Sequence, residues 1–199
     1  MVSNICKIEK GTNDLEAILK ESERFALSNG FTPKQTLHLR LICEEIDGML
    51  PNIVDNFNGN IWMEFENGVC KVNVTIDIPE LDKDKKDQLI DVAKNKKNAA
   101  AVGIVGKIRN VIENFFLDRN DGGVYAACPD LYHLSADYCD GMEYSYYWTL
   151  NQYKVSVKES AKAEEWDELE KSIIAALADD VIVGVKGKQA NIVVIKKIK

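Results

Sequence analysis

The run NIWMEFENGVCKVNVTID (60–77) alternates apolar and polar residues in two segments on either side of Asn67-Gly68. Period-two alternation is the mark of a half-buried strand, and Asn-Gly supplies the positive φ angles of a tight hairpin turn. Residues 60–77 are therefore expected to form a β-hairpin. Ile61, Met63 and Phe65 share one face of its first strand, and Val72, Val74 and Ile76 share one face of its second.

The stretch before the hairpin, TPKQTLHLRLICEEIDGMLPNIV (32–54), is read as a helix. Thr32 can cap the free N–H groups and Pro33 suits the first helical position. Leu37, Leu41, Glu44/Glu45 and Gly48 follow at three- and four-residue steps. Leu39, Ile42, Cys43, Ile46 and Met49 widen the apolar part to most of the circumference, so burial between a sheet and a second helix is expected. Glu44, Glu45 and Asp47 sit near the C-terminal end, where they oppose the negative end of the helix dipole. Such a conflict suits a functional site; taken alone, the acidic group reads more readily as an exposed helix turn.

Further toward the start, residues 3–8 alternate weakly as an edge strand. TNDLEAILKESERFALSNG (12–30) reads as an amphipathic helix with Thr12 as cap and Asn29-Gly30 as stop. Beyond the hairpin, 80–98 is lysine-rich and reads as a solvated helix and loop. AAAVGIVGKIRNVIENFFLDR (99–119) becomes amphipathic, with Gly103 and Gly106 near its start. VYAAC (124–128) reads as a strand, and YSYYWTLNQYKVSVK (144–158) as strand-like and aromatic. Ser160 precedes a helix whose buried face is Trp166, Leu169, Ile173, Ile174 and Leu177. DVIVGVKGKQANIVVIKKIK (180–199) reads as a closing hairpin.

The order indicates α+β, with a mixed or mostly antiparallel sheet covered by helices on one face. Residues 1–119 are expected to form the main domain. Residues 120–199 form a small α+β extension packed on it, or complete the same sheet.

With 46% apolar residues the 199-residue chain can bury a core, and its net charge of −7 argues against a general affinity for nucleic acid or anionic membrane. No apolar run approaches the ~20 residues of a membrane span, and MVSNICKIEKG lacks the apolar core of a signal peptide. Five cysteines without a CxxC pair favour a reducing cytoplasm. His38 and His133 stand alone, so no structural metal is expected.

The succession of two helices, a hairpin, an acidic strand end, a charged lid-like segment and a glycine-bearing helix start resembles the histidine-kinase-type ATPase fold (the GHKL superfamily). Its small anti-sigma-factor kinases are the nearest in plan. The resemblance covers about the first 119 residues. It implies that Glu45 orients water or metal, that Asp77 binds the adenine amino group, and that Gly103 and Gly106 let a helix N-terminus approach phosphate. It further implies ATP or ADP as ligand, with Mg²⁺. The partner implied is a protein, a regulator or sigma-factor-like, and a homodimer is compatible with it; no nucleic acid or membrane is implied.

The chain departs from the family's motifs. Four residues after Glu45 stands Met49 where the family has Asn, and a thioether is a poor Mg²⁺ ligand. Pro79 replaces the glycine after Asp77, and the glycine spacing is G-x-x-G. The function expected is a regulatory protein with a degenerate ATP-binding domain that controls a protein partner. The alternative is a non-catalytic scaffold that has lost nucleotide. Beside these stand plainer readings: Asp77 as a strand-ending turn residue, Gly103 and Gly106 as close-packing positions, and Tyr144–Tyr153 as sheet faces.

Overall fold

A computed structural model of the chain describes residues 1–12, 15–54, 56–77, 103–118, 146–159, 163–186 and 188–198. Expectations for the lysine-rich segment 80–98, Pro79, the strand 124–128, the cap Ser160, His133, Cys128 and Cys139 fall outside these residues.

The elements are β1 (Cys6–Glu9), α1 (Leu15–Ser28), α2 (Pro33–Ile53), β2 (Asn58–Glu66), β3 (Val69–Asp77), α3 (Gly103–Asp118), β4 (Tyr146–Thr149), α4 (Leu150–Glu159), α5 (Ala163–Lys171), α6 (Ile173–Leu177), β5 (Asp180–Lys186) and β6 (Gln189–Lys197). The six strands form one sheet in the order β1-β2-β3-β6-β5-β4. Every neighbouring pair is antiparallel, so the sheet is not mixed. The fold is α+β. The β5–β6 hairpin lies inside the sheet, with β6 paired along the whole of β3.

The β2–β3 hairpin turns on Asn67 (φ 50°) and Gly68 (φ 77°), the positive angles that Asn-Gly was expected to supply. On one face Ile61 lies opposite Val74 and Met63 opposite Val72; Val194 and Ile192 continue those rows into β6, and Val181 and Val183 into β5. These residues form one buried cluster with Ile18 and Phe25 of α1, Ile42 and Ile46 of α2, Ile108 of α3, Tyr153 of α4, Leu169 of α5 and Ile174 of α6. The helices therefore cover this face of the sheet. Ile182 and Ile195, on the opposite face, are also buried but stand outside that cluster.

Two expectations are corrected. Residues 144–158 are not one strand: β4 ends at Thr149 and α4 follows at once. Leu150, Tyr153 and Val157 are buried at three- and four-residue steps, the helical period, while Val155 is exposed. The C-terminal helix breaks at Ser172, whose hydroxyl caps α6 by accepting from the Ala175 N–H. Trp166 and Ile173 are exposed, while Leu169 and Ile174 are buried as expected.

Both sheet edges are blunted against strand addition. β4 is four residues long. Along β1, the Asn4 N–H turns inward to the Glu21 carboxylate (2.7 Å), and the Glu9 carbonyl is taken by the Thr12 N–H and hydroxyl (3.2 and 2.8 Å). Thr12 thus bonds backward to Glu9. Glu21 is buried, and the Arg24 guanidinium bonded to it, with help from Asn4, outweighs burial and holds its carboxyl below the usual range. A depressed folded pKa gives stability that is complete above the unfolded pKa and lost as the pH falls through the folded value. Glu21→Gln should therefore cost about 1–3 kcal/mol at neutral pH and flatten the loss of stability below roughly pH 5. Urea melts across pH 3–7 read both, and an unchanged acid limb would refute the assignment.

Two glycines separate close approach from open space. A Cβ on Gly59 would lie 2.1 Å from the Thr75 carbonyl oxygen, whereas one on Gly48 meets nothing within 4 Å. Gly59→Ala is expected to destabilise by about 1–3 kcal/mol. Gly48→Ala, in mid-helix and facing solvent, is expected to stabilise by roughly 0.5–1 kcal/mol. Chemical denaturation distinguishes the two signs.

Candidate functional site

Thr32 and Gln35 form a reciprocal capping box at the start of α2. The Thr32 N–H donates to Gln35 Oε1 (2.8 Å), and the Gln35 N–H donates to Thr32 Oγ1 (3.4 Å). This fixes the phase of a 21-residue helix. Leu39, Ile42, Cys43, Ile46, Met49, Leu50 and Ile53 face the core. Leu37, Arg40, Glu44 and Gly48 follow at three- and four-residue steps on the outer side and are exposed. The apolar surround expected from sequence is thus an ordinary two-sided helix in which Leu37 faces out. Arg40 forms an ion pair with Glu23 that ties α2 to α1. Pro51 does not end the helix, which runs on to Ile53.

Of the acidic group, Glu44 is exposed while Glu45 and Asp47 are half-buried. Met49 is 4% exposed and belongs to the core cluster. The position where the resemblance calls for a metal-binding amide thus presents a thioether to apolar neighbours. α2 packs against α3. Gly103 opens α3 with φ +79°, an angle that favours glycine, and both Gly103 and Gly106 are buried. Ile104 and Ile108 anchor α3 in the core, and Lys107 places its ammonium 5.0 Å from the centre of the Tyr153 ring. Glu45, Gly103 and Gly106 therefore belong to the helix layer.

Asp77 does not. Ile76, Val74 and Val72 point to the helices, so the period of two turns Asp77, Thr75 and Asn73 to the opposite face. The partners of Asp77 agree. It lies opposite Gln189 of β6, whose Nε2 donates to Asp77 Oδ1 at 3.0 Å, and one row away the Thr75 hydroxyl donates to Asn191 Oδ1 at 2.8 Å. The structure thus sets Asp77 apart from the glycines and glutamate with which the sequence grouped it.

The outer face holds what sequence reasoning missed. Three cross-strand rows over β2, β3 and β6 read Asn58–Asp77–Gln189, Asn60–Thr75–Asn191 and Trp62–Asn73–Val193. Exposure falls from the first row to the third, where Asn73 is 6% exposed and its Nδ2 has no hydrogen-bond partner. Trp62 is fixed by a bond from Nε1 to Glu64 Oε1 (2.8 Å). The signal was present in NVTID and KQANIV, where amide and hydroxyl residues occupy the alternate positions. It becomes legible only once the register sets the two strands side by side.

Other chemistry is quiet. Burial, then the neighbouring Cys70 and Cys6, pushes the Cys43 thiol far above its ordinary value, and burial pushes Cys70 up to about 12. Neither is a nucleophile at neutral pH. Burial and then Lys196 and Lys34 lower the pKa of His38, which favours the neutral imidazole. Among the described residues no group of three potential metal ligands occurs, and no helix is long and apolar enough to cross a membrane. No family model, curated protein or solved structure matches the chain.

A buried amide without a partner costs stability, and valine suits a central strand better than asparagine. Asn73→Val is expected to raise unfolding stability by about 1–2 kcal/mol. A lower urea midpoint for the variant would show that the amide is satisfied in solution.

Proposed function

We propose that this chain is a regulatory protein with a histidine-kinase-like ATPase layout and a degenerate nucleotide site. It acts by holding a protein partner and does not turn over ATP. The layout is supported by the order of elements: two packed helices, a hairpin, a helix opened by glycine, and a closing hairpin that pairs with β3.

The observation that carries the loss of catalysis is Met49 in the core. Mg²⁺ demands oxygen ligands near octahedral geometry, and this position offers sulfur instead. The orientation of Asp77 points the same way. A carboxylate on the outer face, bonded to Gln189, is not directed at a base held between the helices and the sheet.

A second reading, retention of ADP or ATP without hydrolysis, is favoured by Gly103 and Gly106. Gly103 opens a 16-residue helix at a positive φ, with Gly106 one turn on, and the N-terminus of such a helix attracts phosphate. The chemistry ATP supplies when bound is phosphoryl transfer. The residues of this chain would hold its phosphates and provide no metal at them.

Calorimetric titration of ATP with and without Mg²⁺ tests the proposal. Binding weaker than about 1 mM is expected, Mg²⁺ should not strengthen it, and Asp77→Asn should change it by less than about twofold. Micromolar, Mg²⁺-dependent binding that Asp77→Asn abolishes would overturn the proposal.

A further inference from the structure

We draw no further inference here: the strongest candidate, the patch on the far face of the sheet around Asn73, Ile182 and Ile195, is itself buried, and nothing among the described residues shows what covers it.

Discussion

The pairing of β3 with β6 is the constraint on which the rest of the structure depends. It joins Val69–Asp77 to Gln189–Lys197 in nine consecutive antiparallel pairs. The Asp77 and Gln189 it brings together are 112 residues apart in sequence. Closing so long a segment has an entropic cost that grows only slowly with its length. It is offset by the aliphatic rows that close with it: Val72 on Val194 and Val74 on Ile192, all essentially buried. A slip of one residue would send Val194 and Ile192 to the outer face and Val193 and Asn191 into the core. The register is therefore fixed by burial alone. It then dictates every side-chain position on the far side, including those with no packing role.

The helix layer has a different logic. α2 is held in phase at its start by the Thr32–Gln35 box and along its length by seven core-facing residues. With that phase set, Met49 falls in the core and Glu44 and Gly48 in solvent, and nothing near the acidic group can rotate the helix to exchange them. One residue is about 100° of turn. The absence of a metal-binding oxygen at position 49 is therefore a consequence of the same packing that stabilises the helix. A ligand introduced there by Met49→Asn would have to bury an amide among Ile46, Leu50 and Ile53.

Local rules were strong enough to read several elements from sequence. Asn67-Gly68 forces the β2–β3 turn, Thr32-Pro33 starts α2, and the alternation in 60–77 has one outcome. The α4 segment was harder. In YKVSVK the alternation of Val155 and Val157 suits a strand, while Leu150, Tyr153 and Val157 suit a helix. Packing chose the second by burying Tyr153 beside Lys107 of α3 and leaving Val155 in water. The break at Ser172 was also hidden, because a serine between helical segments can be an interior residue or a cap. The candidate site was legible as residue types and not as a place. Glu45, Asp77, Gly103 and Gly106 are ordered in the chain as the ATPase plan requires, but a strand's parity is decided by its neighbours, and it carries Asp77 to the other side.

Parity also places different demands on the two faces of the sheet. The helix-facing positions of β3 and β6 are constrained by volume: Val72, Val74, Ile76, Ala190, Ile192 and Val194 have at most 1% exposure. Substitution there is limited by packing. Of the outward positions, Asn58, Asp77 and Gln189 are exposed and face no such demand, whereas Asn73, Ile182 and Ile195 are buried as well. Asn73 is the clearest departure: its amide nitrogen is buried beside Trp62 without a hydrogen-bond partner, at the expense of stability that a valine would bring.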